Sequence, residues 1–189
     1  MPRAADDIAD ELLVLTAQSG DSAALSALVA RWHRPLIAHA AHLLGGADRS
    51  DALDCVQEAW LGIVRGLSRL DDPARFRAWA FRIVTNKCAD RIAARRRDRR
   101  AAGAVAPRSE PDRKPADPDP LRRAIDALEF DRQVMLRLFY IDGFSVSEIA
   151  SVLALPVGTV KSRLHHTRNA LREALERDDK ETTREHPPR

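Results

Sequence analysis

Cysteine and glycine are both scarce in this chain, with 2 and 8 residues among 189, and runs of β-branched residues are missing altogether. Each shortage closes off a class of protein. Cys55 and Cys88 lack C-x-x-C spacing and an accompanying His pair, which excludes a zinc site or a disulfide framework and leaves each as a small buried hydrophobe. No apolar run approaches the roughly 20 residues needed to span a bilayer. The N-terminus also lacks an apolar secretory segment, so a cytoplasmic protein without membrane insertion is expected. A phosphate-cradling G-x-x-x-x-G-K-[ST] loop, a G-x-S-x-G elbow and an H-E-x-x-H pair are all absent, so neither catalysis nor a cofactor or metal is expected. Charge of one sign is lacking too. The net charge is +3 and the pI near 9.2, so any nucleic-acid surface has to come from local clustering.

Helix formers are abundant. Alanine, leucine and arginine dominate, with 44% hydrophobic and 31% charged residues, a balance that supports real cores in an all-α fold. Five of the 11 prolines (Pro107, Pro111, Pro115, Pro118 and Pro120) gather in one stretch without apolar periodicity. Such a stretch reads as a flexible, semi-extended tether. Two small helical domains are therefore expected, 1–102 and 121–177, joined by a Pro-rich linker over 103–120 and followed by a disordered polar tail over 178–189.

In the first domain Ile8, Leu12 and Leu15 make a short helical stripe that stops near Gly20. Asp21 caps a second helix with the stripe Leu25, Leu28, Val29, Trp32, Leu36, Ile37 and Leu43. Pro35 lies within it and predicts a kink. His33, His39 and His42 follow no metal-ligand spacing and are expected to be partly exposed. A third helix, Ser50 to Leu70, buries Leu53, Val56, Trp60, Ile63, Val64 and Leu67 and turns Asp51, Asp54, Gln57 and Glu58 outward. Asp72 and Pro73 open a fourth, running from Ala74 to about Ala102. Its apolar side is Phe76, Trp79, Ala80, Ile83, Val84 and Ile92. Its second half is strongly cationic through Lys87, Arg91, Arg95, Arg96, Arg97, Arg99 and Arg100, with Asp90 and Asp98 the only acids there. That clustering suits a face that follows phosphates.

In the second domain Leu121, Ile125 and Leu128 mark one helix. Val134, Leu136, Leu138, Phe139 and Ile141 mark the next, closed by Asp142-Gly143. The strongest local signal follows, from Phe144 to Leu164. Ser145 with Glu148 three residues on is a capping box, and Ile149, Ala150 and Leu153 then repeat at helical spacing. Ala154-Leu155-Pro156 stops that helix, because the residue before proline is driven out of the α region. A second helix starts near Val157, with Val160, Leu164, Thr167 and Leu171 on one stripe and Lys161, Ser162, Arg163, His165, His166 and Arg168 on the other face. Two short helices crossing at a small residue, Ala150, form a helix-turn-helix, whose second helix enters a DNA major groove and aims donors at base edges.

From about Asp21 to Leu175, the linker excepted, the arrangement resembles a bacterial sigma factor of the extracytoplasmic-function type. Asp51-Ala-Leu-Asp-Cys-Val-Gln-Glu58 is similar to the family's D-A-E-D-x-V-Q-E segment, Phe76-Arg-Ala-Trp79 through Asn86 to Asp90-Arg91 to its minus-ten helix, and Pro156-Val-Gly-Thr-Val-Lys-Ser-Arg163 to its minus-thirty-five reader. The resemblance implies a transcription initiation factor. Its partners would be core RNA polymerase, through the β′ clamp helices and the β flap, promoter DNA, and an anti-sigma factor. Asp51, Leu53, Asp54, Gln57 and Glu58 would contact polymerase. Leu70, Asp72, Trp79, Asn86, Lys87, Asp90, Arg91, Arg95 and Arg96 would serve the minus-ten element, with the turn from Leu70 to Ala74 and Asn86 forming a pocket for a flipped base. Ser145, Gly158, Thr159, Lys161, Ser162, Arg163, His165, His166 and Arg168 would serve the minus-thirty-five element. Three positions depart from the family pattern: Leu53 stands for a usual Glu, His166 for a common Arg, and Ala154 for a frequent turn glycine.

Two other classes fit parts of this pattern. A one-component helix-turn-helix regulator would bind duplex DNA without recruiting polymerase. An enzyme with an appended DNA module is the other. Co-purification with core polymerase separates the sigma factor from both.

Overall fold

The computed structural model describes residues 3–45, 49–101 and 119–185, and every regular element among them is helical. The chain divides into two compact units, residues 1–107 and 108–189. Residues 103–118 of the expected linker, with Pro107, Pro111, Pro115 and Pro118, lie outside the described residues, as do 186–189. Among the described residues no helix is long and apolar enough to cross a membrane.

The first unit consists of α1 (Arg3–Gln18), α2 (Ser22–Leu43), α3 (Arg49–Gly66) and α4 (Phe76–Ala101), with 3-10 turns at Leu67–Arg69 and Pro73–Arg75. Asp21 caps α2 as expected, its carboxylate accepting from the N–H groups of Ala23 at 2.7 Å and Ala24 at 3.2 Å. Leu28 and Leu36 of α2, Val56 and Ile63 of α3, and Phe76, Phe81 and Val84 of α4 fill the core. Full burial of side chains of this size stabilises a fold by roughly 1.5–3 kcal/mol each. Phe81 ties the layers together, with Trp32 edge-on at 6.2 Å and His39 at 4.9 Å between ring centroids.

Several sequence-based expectations do not hold in the first unit. The apolar stripe of α1 faces the wrong way: Ile8, Leu12 and Leu15 are exposed, and Val14 and Asp10 are the buried residues. Asp10 tolerates burial because Arg31 Nε sits 2.7 Å and Trp32 Nε1 3.2 Å from its Oδ1, and a satisfied carboxylate can enter a core. His39 is fully buried rather than partly exposed, its Nε2 sharing a hydrogen bond with Thr85 Oγ1 at 3.0 Å. Val64 is exposed, against the expectation that it lies on the inner stripe of α3. That helix ends at Gly66, and α4 begins at Phe76 instead of Ala74. Cys55 and Cys88 are buried free thiols, as expected of small hydrophobes.

The second unit consists of α5 (Pro120–Asp126), α6 (Phe130–Tyr140), α7 (Val146–Leu153) and α8 (Val157–Glu185), with α8 packed against the other three. Pro120 is therefore the first residue of a helix capped by Asp119 rather than the last of a linker. Ile141 points out of the core, and Met135 fills the space inside α6. Residues 178–185 of the expected disordered tail are helical, because α8 continues to Glu185, and Asp178 meets Arg123 at 2.8 Å. The turn after α6 is held by Gly143 at φ 67° and by a largely buried pair, Arg137 with Asp142 at 3.4 Å. Burial pushes the Arg137 guanidinium below its ordinary pKa, and the Asp142 charge opposes the shift.

Candidate nucleic-acid interface

Helices α3 and α4 pack antiparallel, and this places the acids of one against the cations of the other. Glu58 meets Lys87 at 3.1 Å, Asp54 meets Arg91 at 3.3 Å, and Asp51 meets Arg91 at 3.2 Å and Arg95 beyond it. Acids at 51, 54 and 58 follow the three- and four-residue spacing of one helix face, and cations at 87, 91 and 95 the four-residue spacing of another. The expected polymerase strip and part of the expected minus-ten surface are thus one charge ladder. Side chains of Asp54 and Glu58 are each 57% exposed, and those of Lys87, Arg91 and Arg95 between 36% and 39%. Asp51 is the exception at 13%, enclosed by its two arginines. Leu53 is half-buried and Gln57 exposed.

A second row on α4 faces solvent: Asn86, Asp90 and Arg97 are exposed, as is Arg96. Trp79 is half-buried, its ring 6.2 Å from Phe76. A Cβ at Gly66 would come within 2.9 Å of the indole Cζ2, so only glycine lets the ring lie against the end of α3. That contact favours packing for Trp79 over stacking on a base. The loop before α4 holds Leu70 half-buried and Asp72 exposed. Asp72 Oδ1 accepts from Ala74 N at 3.1 Å and so closes the following turn.

In the second unit the helix-turn-helix forms as its sequence requires. Both arms of the capping box are present: Glu148 N donates to Ser145 Oγ at 3.3 Å, and Ser145 N donates to Glu148 Oε2 at 2.7 Å. Ser145 Oγ also donates to that carboxylate at 2.6 Å, so its hydroxyl serves the cap. Val160, Leu164 and Thr167 are buried, whereas Gly158, Lys161, Ser162, His165, His166 and Arg168 are exposed along α8. Thr159 and Arg163 are half-buried, and Arg163 reaches Asp131 of α6 at 3.6 Å. His165 Nε2 pairs with Asn169 Nδ2 at 3.2 Å, and the His165 and His166 rings lie 5.7 Å apart. Arg168 Nε donates to Leu164 O at 3.3 Å, and Ser162 Oγ to Thr159 O at 3.0 Å. Gln18, Asp131 and Asn169 escaped the sequence reading. Each is a polar partner of another residue rather than part of a motif.

Comparison with known proteins gives the same order of parts. Residues 28–98 match the family model for Sigma-70 region 2, and residues 119–171 match that for Sigma-70 region 4. The ECF RNA polymerase sigma factor SigE of Mycolicibacterium smegmatis is 32% identical over 87% of this chain and 67% of its own length. The ECF RNA polymerase sigma-E factor of Escherichia coli is 28% identical over 88% of this chain and 94% of its own. Among solved structures, CnrH in complex with the cytosolic domain of CnrY is similar at 32% identity and a TM-score of 0.65, covering 90% of this chain and 99% of that one. The sigma factor RpoE of Bartonella quintana, solved with the anti-sigma factor NepR, shares the fold at 23% identity and a TM-score of 0.63, covering 80% and 96%.

Proposed function

Since the chain belongs to the extracytoplasmic-function sigma factors of the sigma-70 family, we propose that it binds core RNA polymerase and directs it to promoters under control of an anti-sigma factor. The first unit docks on polymerase and opens the minus-ten element. The second unit reads the minus-thirty-five element with α8. This role needs no catalysis by the chain itself, and it is carried out in the cytoplasm, where polymerase works.

The observation that carries this assignment of surfaces is the α3–α4 ladder. Ion pairs this exposed are worth only about 0–1 kcal/mol each, so they can be exchanged for intermolecular ones. A polymerase surface offering cations to Asp54 and Glu58 takes those acids from Lys87 and Arg91. The cations are then available to DNA phosphates, where charge neutralisation releases counterions. Exposed Asn86 lies one position from Lys87 and reads a base from the same helix, and Arg96 and Arg97 extend the cationic face. In the second unit, Lys161, His165, His166 and Arg168 line the groove-facing side.

Run-off transcription with purified core polymerase on a duplex promoter tests the reading. The chain should co-purify with core and support specific transcripts. Glu58→Lys should weaken core binding by roughly 1–3 kcal/mol while leaving thermal unfolding nearly unchanged. Specific duplex binding by the chain alone, with no association with core, would instead identify a one-component regulator.

A further inference from the structure

We propose that Gln18 is a positioning residue for minus-ten base recognition, holding the loop between α3 and α4 in its reading shape. The inference rests on the assignment of that loop, Leu70 to Ala74, to promoter opening. Gln18 is the last residue of α1, remote in sequence from the loop, and its amide nitrogen donates twice. Nε2 lies 2.9 Å from Leu67 O and 2.8 Å from Leu70 O. These carbonyls belong to the first residue and the C-cap of the 3-10 turn Leu67–Arg69, which is itself closed by Leu70 N donating to Leu67 O at 3.1 Å.

On its far side the loop is fixed differently. Asp72 Oδ1 accepts from Ala74 N, and Asp72 O accepts from Arg75 N at 3.0 Å. The segment Leu70-Asp71-Asp72 is thus an arc anchored at one end by the α1 amide and at the other by its own cap. Its two acids are exposed, and α1 also packs against the following turn, Pro73–Arg75. A flipped base is read well only by groups already in position, because ordering a loop on binding costs affinity. A side-chain amide is suited to the task. One NH2 carries two donors, so a single group reaches Leu70 O and adds a second donor to Leu67 O, which Leu70 N already serves.

Gln18→Met keeps the length of the side chain and removes both donors; Gln18→Glu keeps the shape and sets a carboxylate against two carbonyls. Each is assayed as full-length protein bound to core polymerase, on single-stranded minus-ten oligonucleotides carrying each base in turn. Asn86→Ala runs in parallel, with thermal unfolding and core affinity measured for all. Two lost hydrogen bonds, each worth roughly a factor of two to ten, should lower discrimination between the best and worst base about five-fold or more in both Gln18 variants, with core affinity and folding retained. A merely structural role would move the melting temperature and leave the base ratios alone. Full discrimination in folded Gln18 variants, with Asn86→Ala losing it, overturns the clamp and leaves the minus-ten assignment standing. Full discrimination in all three removes that assignment and the clamp with it.

Discussion

Ala154 is the one described residue other than glycine with a positive φ, at φ 53° and ψ 43°, and replacing it with glycine should stabilise the second unit. It is the C-cap of α7. Its N–H returns to Ala150 O, and Leu155 N donates to the same carbonyl at 3.0 Å, a closure that needs a left-handed residue at the turn. For an L residue the left-handed region costs roughly 1–2 kcal/mol. Glycine removes that cost but gives back roughly 0.5–1 kcal/mol through the larger freedom of the unfolded chain. The net gain for Ala154→Gly centres on ~0.75 kcal/mol, within the roughly 0–1.5 kcal/mol that these two ranges span. For a unit of this size 1 kcal/mol moves the midpoint by roughly 4–8 °C, so the expected rise is about 3–6 °C. Trp32, Trp60 and Trp79 all belong to the first unit and Tyr140 to the second. Tryptophan fluorescence therefore follows the first unit, and far-UV circular dichroism follows both. The variant should raise the midpoint of the dichroism component that tryptophan does not report, and Ala154→Val should lower it. An unchanged midpoint, or a shift seen by tryptophan alone, would refute the strain argument.

Further outcomes are expected for the buried thiols and for His166. Burial, and secondarily the neighbouring Cys55, pushes the Cys88 thiol well up, and burial raises Cys55 too. Neither should therefore alkylate at neutral pH until the chain unfolds. A raised folded pKa contributes stability that is complete below the unfolded value and lost above it, so denaturant midpoints of the first unit should fall as pH rises past about 8.5; thiol labelling and unfolding curves against pH check both. His166 is exposed on α8 and stands where the resemblance implies an arginine. His166→Arg restores a two-pronged donor and should sharpen preference for guanine at one minus-thirty-five base roughly ten-fold or more, whereas identical substitution panels would mean that residue 166 does not face the bases.

Legibility in the sequence followed the range of the interactions. The helix-turn-helix was readable residue by residue because its determinants are local: a cap, a box partner three residues on, an apolar stripe and a proline stop. The all-α class was legible from composition, and the division into two helical units from the proline-rich stretch. Helix α1 was misread because both of its faces carry helical periodicity. The inner face was disguised by Asp10 and Gln18, whose polar atoms are satisfied by Arg31 and Trp32 in one case and by loop carbonyls in the other. His39 was misjudged for the same reason, since its partner Thr85 lies on another helix. The length of α8 was hidden by polar residues that extend a helix as well as they end a chain.

The charged residues carry the same lesson further. In sequence the acids of α3 and the cations of α4 read as two separate surfaces, one for each partner, and only the antiparallel packing reveals that they face each other. A similar pairing occurs in the second unit, where Arg163, expected to face DNA, reaches Asp131. Pairs as exposed as Asp54 with Arg91 and Glu58 with Lys87 add little to folding, unlike the burial of Val56 and Ile63 of α3 and of Phe81 and Val84 of α4. On the proposed assignment, pairs this weak can be exchanged for intermolecular ones. Each cation already sits beside a carboxylate, and a phosphate that takes the carboxylate's place need not desolvate a bare charge. The exchange is easiest where exposure is greatest, at Asp54 and Glu58, and hardest at Asp51, which is enclosed by two arginines. The ladder should therefore open from its Glu58–Lys87 end, the end nearest Asn86.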